Sequence, residues 1–251
     1  MTDLLVLSPH LDDAVLSCGG RIAETTARGG DVLVVTVFTA DEPAVPPSRL
    51  AADLRRWWRL PAGEVMAARR REDAEALERL GAGLLHLGLP EAPYRLAASG
   101  RPFYDQLAHL FGEPEPEDRD ALAGALGAHL AQLPRAELLL APLAVGGHVD
   151  HRLLRAAVEA QDGPAAYYEE FPYAEWKWLA LRRALGSRRA WSAETLPLSK
   201  ETFERRVGAI LAYESQVPAM FRSEARLRKQ LRRYLRRAGG ERVWRRRRER
   251  R

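Results

Sequence analysis

Short apolar runs alternate with amphipathic segments over the first two thirds of the chain. Residues 4–7 form a four-residue apolar run, and residues 32–38 form a longer, valine-rich one. Continuous runs of this length are typical of strands that are buried on both faces of a parallel sheet. Residues 15–28, between them, carry small and apolar side chains at helical spacing and end at Gly29-Gly30, where a C-cap is expected. The three segments together predict a βαβ unit.

The alternation continues and predicts a larger sheet. Three further strands are expected at the apolar runs 84–87, 136–141 and 165–168. Each run follows a segment of helical character or a connection that prolines interrupt. Helices are expected at residues 64–80, 121–133, 152–161, 200–213 and 224–237, with a short one at 50–58 inside the proline-rich connection 41–63. Residues 113–118 read as a surface loop, and residues 190–196 as a strand or an irregular segment. The pattern predicts a Rossmann-like three-layer α/β sandwich with a mostly parallel sheet of order 3-2-1-4-5 plus additions.

Charge divides the chain unevenly. The formal net charge is +5, but residues 222–251 hold 15 Lys and Arg against 3 acidic residues, whereas residues 1–221 hold 24 against 31. We therefore predict a domain over residues 1–221 and a basic C-terminal helical extension over residues 222–251. Like-charge runs are often interaction tails, so one hypothesis is an arm that binds nucleic acid or an acidic membrane surface. The alternative, which we favour, is an amphipathic helix that covers the acidic body and is followed by a frayed end.

Two polar motifs follow the first and the fourth predicted strands. His10, Asp12 and Asp13 come directly after the first, and the sequence Gly147-His148-Val149-Asp150-His151 follows the fourth. In a 3-2-1-4-5 sheet these strands are neighbours, and ligands bind in the crevice between their carboxyl ends. The motifs should therefore meet.

Together the motifs have the composition of a catalytic metal site. His10, Asp13 and His151 make a set of two histidines and one carboxylate, which leaves coordination positions open for water and substrate. Asp12 is then the natural general base, and His148 can polarise or protonate the substrate. Imidazole and carboxylate accept zinc, and they also accept iron(II).

The same residues resemble a known family. Pro9-His10-Leu11-Asp12-Asp13, with Gly19-Gly20 after it, and the motif ending at His151 look like the LmbE-like (PIG-L) zinc-dependent deacetylases, which remove acetyl groups from N-acetylglucosamine conjugates. The resemblance spans about residues 3–215. It implies zinc on His10, Asp13 and His151, with Asp12 as general base, and it implies that His148 stabilises the oxyanion or protonates the leaving amine.

The resemblance also implies supporting roles. Asp150 would orient His148, and Arg69 would contact the substrate. Glu91, Tyr94 and Arg95 lie on the predicted active rim and are further candidates for substrate contact. Leu11 and Ala14 replace the family's usual proline and glutamate; neither is a ligand, so these departures bear on the acceptor and not on the metal.

Other features limit the function without fixing the substrate. The single cysteine, Cys18, excludes an intramolecular disulfide and reads as a packing residue. No apolar run approaches the roughly 20 residues that span a bilayer, and the acidic start does not look like a signal peptide, so we expect a cytoplasmic enzyme acting on a small N-acetylated sugar or conjugate. An amidase acting on a larger conjugate and a homo-oligomer are both compatible with the sequence.

Overall fold

One mixed sheet organises the molecule. The computed structural model describes residues 1–61, 63–161, 163–176 and 178–247. Within them the sheet has seven strands, which are β1 (Thr2–Ser8), β2 (Val32–Phe38), β3 (Gly83–Leu89), β4 (Ala136–Pro142), β5 (Ala166–Tyr168), β6 (Trp191–Leu196) and β7 (Glu241–Arg246). Their order is β3-β2-β1-β4-β5-β7-β6. Strands β1 to β5 pair in parallel, as the sequence predicts, whereas β7 pairs antiparallel with both β5 and β6.

Helices form the outer layers. They are α1 (Asp13–Ala27), α2 (Arg49–Trp58), α3 (Val65–Leu80), α4 (Pro116–Ala131), α5 (Val149–Glu159), α6 (Tyr173–Trp176), α7 (Trp178–Leu185), α8 (Lys200–Ile210), α9 (Val217–Phe221) and α10 (Glu224–Ala238). One group contains α1, α3 and α8, which contact one another, and a second pair consists of α4 and α5. Local signals set several ends: Ser48, Ser199 and Ser223 cap α2, α8 and α10 with their hydroxyl oxygens.

The core lies between the sheet and these helices. Val6, Val34 and Val35 on the central strands are fully buried, and they pack in one cluster with Val15 and Ile22 of α1. The apolar runs of β1 and β2 are thus covered on both faces, whereas the edge strand β3 exposes Leu84 and Leu85. This burial fixes the sheet edge from which the polar turns emerge.

Two predictions about local structure need correction. Residues 113–118 are not wholly a surface loop, because α4 begins at Pro116 and buries Asp118. Proline is well tolerated in the first turn of a helix, where its missing N–H is not needed. The helix expected from residue 152 begins at Val149, since His148 is its N-cap and accepts the Asp150 backbone N–H.

The C-terminal segment differs most from expectation. Helix α10 covers the predicted basic helix, but Glu241–Arg246 form β7 where a frayed end was expected. Residues 248–251 lie outside the described part of the chain. Trp244 in β7 is 1% exposed, and the strand lies between β5 and β6. The boundary predicted at residue 221 stays a prediction. In the described part of the chain, no helix combines the length and apolar character that crossing a bilayer requires.

Candidate metal and catalytic site

The turn after β1 and the loop after β4 bring the two polar motifs together. The first turn is fixed by short local bonds: the Ser8 hydroxyl donates to the His10 carbonyl (2.7 Å) and accepts the Ala14 N–H (3.0 Å). The His10 backbone N–H in turn donates to Asp13 Oδ2 (3.0 Å). Because β1 and β4 are neighbours in the sheet, the loop after β4 reaches the same place. The predicted meeting of the motifs is confirmed.

Three histidines converge at this point. One side-chain nitrogen from each of His10, His148 and His151 lies within 4.8 Å of the others. Asp13 Oδ2 is 3.1 Å from His10 Nδ1 and 3.2 Å from His151 Nε2, so the carboxylate lies between two of the rings. All four side chains are largely buried.

The outer nitrogens of two rings are engaged by carboxylates. His10 Nε2 is 2.9 Å from Asp150 Oδ2, and His151 Nδ1 is 3.1 Å from Glu170 Oε1. A neutral ring that donates there has its lone pair on the other nitrogen, which in both cases faces Asp13. His151 Nε2 is buried and has no hydrogen-bond partner within the described residues. Two lone pairs and a carboxylate around one point need a cation or protons between them, so this donor set fits a divalent metal.

The ionisable groups of this cluster shift one another's pKa values. Burial alone would lower the pKa of His151, but the close negative charge of Asp13 and the contact with Glu170 raise it to about 9. Burial likewise opposes protonation of His10, yet its bonds to Asp13 and Asp150 raise its pKa above the usual value. Burial would raise the pKa of Asp13, but the two rings lower it.

The pKa of His148 is shifted in the opposite direction to those of His10 and His151. Its Nδ1 accepts the Asp150 backbone N–H at 3.2 Å. Burial and the positive field of His10 lower its pKa, so the ring is neutral. With Nδ1 as acceptor, the proton of the neutral ring must be on Nε2. His148 is therefore a hydrogen-bond donor at the cavity wall.

Asp12 lines the same cavity, and within the described residues its carboxyl group has no fixed hydrogen-bond donor. It is 8% exposed, and burial together with the Asp13 charge raises its pKa to about 7. A carboxyl group with this pKa can exchange a proton near neutral pH.

Asp150 is placed differently from expectation. Its Oδ2 binds His10 and the Ala92 N–H (3.1 Å), and its Oδ1 accepts from Arg95 Nη1 (2.6 Å). The carboxylate thus orients His10, while only the backbone N–H reaches His148. The Arg95 charge outweighs the cost of burial and holds the pKa of Asp150 far below its usual value.

The four predicted substrate contacts separate into two pairs. Arg69 and Glu91 line the cavity and form a buried ion pair at 2.6 Å, with the Arg69 guanidinium 4.8 Å from the centre of the Trp58 ring. Tyr94 and Arg95 are absent from the lining of this cavity. Arg95 lies behind it, where it forms a bidentate pair with Asp118 (both 2.8 Å).

The cavity itself measures about 360 Å³, and most of its wall is apolar. Helices α2, α6 and α9 and the 3₁₀ turn at Leu107–Leu110 supply this wall. Trp57, Leu107 and Trp176 stand at the opening and are 54%, 50% and 45% exposed. We call these three residues the apolar rim.

Glu170 lies in the stretch 168–173, which resembles the family and is a candidate for substrate contact, but the sequence assigns it no part in supporting a metal site. It follows β5, the strand next to β4, so the argument that placed His10 and His148 at strand ends applies to it as well. The signal was present in the pair Glu169-Glu170 directly after an apolar run.

Comparison with known proteins adds independent information. Residues 5–161 match the family described as PIG-L, GlcNAc-PI de-N-acetylase. The chain is 32% identical over 237 residues to a 2'-N-acetylparomamine deacetylase of Niallia circulans, which covers 88% of this chain and 83% of that protein. It is 36% identical over 178 residues to the 2'-N-acetylparomamine deacetylase of Streptomyces fradiae; this match covers 68% of the chain but only 57% of the relative's length.

Solved structures agree over almost the whole chain. The zinc-inhibited form of a teicoplanin deacetylase superposes with a TM-score of 0.83 at 27% identity and covers 97% of both chains. A deacetylase of the A40926 pseudoaglycone gives a TM-score of 0.74 at 28% identity, covering 97% of this chain and 96% of that one.

Proposed function

The chain belongs to the PIG-L family, and from this premise we propose that it is a metal-dependent hydrolase that removes an N-acetyl group from an amino sugar or an amino-sugar conjugate. Its relatives include deacetylases named for amino-sugar substrates, so an enzyme of the deacetylase class is supported. The substrate, the metal and the residue roles below are our proposal.

One observation carries the proposal. His10 Nδ1 and His151 Nε2 face one oxygen of Asp13 at 3.1 and 3.2 Å, at the wall of an apolar cavity that also holds Asp12 and His148. A structural ion pair would use one histidine and one carboxylate, whereas here two histidines converge on the same carboxylate oxygen and a third histidine lies close by.

The tautomers favour one ligand set over another. Three histidine nitrogens are close enough to share a cation. However, His148 accepts a backbone N–H at Nδ1, so its Nε2 carries a proton and offers no lone pair. His10, Asp13 and His151 therefore remain as the ligands, with zinc or iron(II) as the candidate ions. When bound, such an ion supplies Lewis-acid chemistry that polarises a carbonyl and makes water more acidic.

Asp12 and His148 have different tasks in this reaction: Asp12 transfers protons, and His148 donates a hydrogen bond. Asp12 accepts a proton from the water that attacks the acetamide carbonyl carbon. His148 donates a hydrogen bond from Nε2 to the carbonyl oxygen as that oxygen becomes negative. When the C–N bond breaks, the amine takes up the proton that Asp12 holds, which leaves acetate and a free amino sugar.

The side chains that line the cavity support one orientation of the proposed substrate. Arg69 and Glu91 are the polar groups of the wall beside Asp12 and can bind sugar hydroxyls. The apolar rim lies at the opening, so the substituent on the sugar contacts Trp57, Leu107 and Trp176. We therefore propose a conjugate with an apolar substituent; an amidase acting on a larger conjugate would use the same surface.

The first test measures metal and product together. Protein purified without added metal or chelator is analysed for zinc and iron, with the His10→Ala/His151→Ala double variant in parallel. We expect about one equivalent of metal in the wild type and none in the double variant, and acetate released by the wild type from N-acetylglucosaminides that carry octyl or phenyl substituents. A wild type that binds no metal after reconstitution with zinc and with iron(II) would refute the proposal.

A cytoplasmic location stays a prediction. A homo-oligomer and polyanion binding through the basic C-terminal segment stay hypotheses, and the second of them is the one we did not favour from the sequence. For the last of these, several of the cations already contact acidic groups of the body. Arg242 pairs with Glu169, and Arg233 and Arg237 with Glu175.

A further inference from the structure

We propose that Glu170 is the positioning residue of the metal centre, and that the C-terminal strand β7 holds Glu170 in place through its neighbour Glu169. This inference rests on the proposed function in one respect, because it takes His151 as a metal ligand. It also gives a role to the basic C-terminal segment, which takes no direct part in the proposed hydrolysis.

Glu170 binds three donors at once and is fully buried. Its Oε1 accepts the Ala144 N–H (2.5 Å) and lies 3.1 Å from His151 Nδ1, while its Oε2 accepts the Val145 N–H (3.0 Å). A carboxylate has about four lone-pair sites and can satisfy all three donors. A bond from a carboxylate to the outer nitrogen of a ligating histidine fixes the ring and raises its basicity.

Two of these donors belong to the loop that leads from β4 to His148. Ala144 adopts a left-handed conformation with φ of 60°, which is unfavourable for a residue that has a Cβ. The Glu170 bond to its N–H stabilises this conformation, and the Gly147 N–H then donates to the Ala144 carbonyl at 3.0 Å. One carboxylate therefore positions the His151 ring and also the loop that carries His148.

Glu169 is fixed by a different set of residues, all of them in the C-terminal segment. Its Oε1 accepts from Arg242 Nε (2.6 Å) and from Trp244 Nε1 (2.7 Å), and its Oε2 lies 3.4 Å from the Tyr234 hydroxyl. The Glu169 backbone N–H also donates to the Arg242 carbonyl at 3.2 Å. Glu169 is 1% exposed, so these contacts replace water completely.

The two glutamates are consecutive and their side chains bind different parts of the protein. The backbone they share is therefore held from the β7 side by Glu169 and from the β4 side by Glu170. Loss of the β7 contacts would free this backbone and let Glu170 move away from His151. We infer that the affinity of the site for metal depends on residues in β7 that do not touch the site.

The test measures zinc affinity of the full chain by competition with a chromophoric chelator, without any substrate. Glu170→Gln keeps the size of the side chain, but one amide oxygen cannot accept three N–H donors, so we expect zinc affinity to fall by about 10- to 100-fold. Arg242→Ala removes the charged partner of Glu169 from outside the site, and we expect a smaller loss in the same direction.

Arg245→Ala is the matched control for Arg242→Ala. Arg245 lies in the same strand and has the same side chain, but it pairs at 3.5 Å with Glu194, which is itself exposed at the surface. We expect it to bind zinc like the wild type. The shift in unfolding temperature that zinc produces is measured for each variant, because a purely structural role would lower the temperature of the metal-free protein and leave this shift unchanged.

Two outcomes overturn the inference and can be told apart. If the wild type binds zinc and Glu170→Gln and Arg242→Ala bind it equally well, Glu170 does not position His151 although the metal centre stands. If the wild type binds neither zinc nor iron(II), the proposed metal centre fails and this inference fails with it. Should Glu170→Gln not fold, the comparison of Arg242→Ala with Arg245→Ala decides.

Discussion

Substitution of Gly20 by alanine has two effects of opposite sign on the free energy of unfolding. Gly20 lies inside α1, where alanine is favoured over glycine by about 1 kcal/mol. However, a Cβ at this position would lie 2.6 Å from Glu241 Oε1 and 2.6 Å from Leu198 Cδ2. Both distances are below any normal contact, so these side chains would have to move.

The cost depends on Glu241 more than on Leu198. Leu198 is only partly buried and can rotate away. Glu241 is 2% exposed, accepts the N–H groups of Gly20 (2.6 Å) and Arg21 (2.8 Å), and pairs at 2.9 Å with Arg206, which is fully buried. Disrupting a buried ion pair costs about 3–5 kcal/mol. After the gain of about 1 kcal/mol in helix propensity, Gly20→Ala should lower the free energy of unfolding by about 2–4 kcal/mol.

Urea unfolding followed by circular dichroism measures this change, with Gly124→Ala as the matched control. Gly124 lies in α4 and is exposed, and a Cβ added there would have no atom within 4 Å, so alanine should raise the free energy of unfolding by up to about 1 kcal/mol. If Gly20→Ala stabilised the protein as Gly124→Ala does, a glycine at position 20 would not be needed to admit Glu241, and the reasoning would be refuted.

Three further predictions concern the site and its support. His148→Ala should keep its metal by elemental analysis but lose about 10²- to 10³-fold in kcat, because a donor to the developing oxyanion is removed; wild-type kcat in this variant would contradict the role. Trp57→Ala should raise KM about tenfold for octyl N-acetylglucosaminide through lost apolar contact, and an equal rise for the methyl glycoside would show that the rim does not bind the substituent. Asp118→Asn should lower the free energy of unfolding by about 3 kcal/mol or more, since it disrupts a buried bidentate pair with Arg95; a urea midpoint within about 0.2 M of wild type, roughly 0.5 kcal/mol, would argue against this.

The sequence was most informative where one physical signal dominates. Strands β1 and β2 are almost wholly buried, as their nearly continuous apolar runs indicate, whereas β4 has the exposed Glu137 near its start. In the order 3-2-1-4-5, which is common among doubly wound sheets, the meeting of His10 with His151 is a geometric consequence. The centre of the site can therefore be predicted from the pattern of apolar and polar positions once this order is assumed.

The sequence was less informative where pairing with a residue distant in the chain overrides the local pattern of apolar and charged positions. The segment Glu241–Arg246 has three arginines among its last five residues and reads as a solvated end, yet its Trp244 ring is buried and its Arg242 charge is neutralised by Glu169. Arg95 reads as a rim residue because it follows β3, but Asp118 draws it behind the cavity. In both cases an acidic partner distant in sequence decides the position of an arginine, and no local pattern shows which acid that is.

The position of β7 has a consequence for the order in which the molecule can be completed. Strands β1 to β5 can pair as soon as each has been synthesised, because each finds its neighbour among segments already made. Strand β6 cannot, since its ladder in the sheet is formed with β7, which follows it by more than 40 residues. On a ribosome, β6 must wait without its hydrogen-bonding partner until Glu241–Arg246 has emerged. The same event delivers Glu241 to α1 and Arg242 to Glu169, so a nascent chain would acquire its edge strand and the support of the proposed metal centre in one late step.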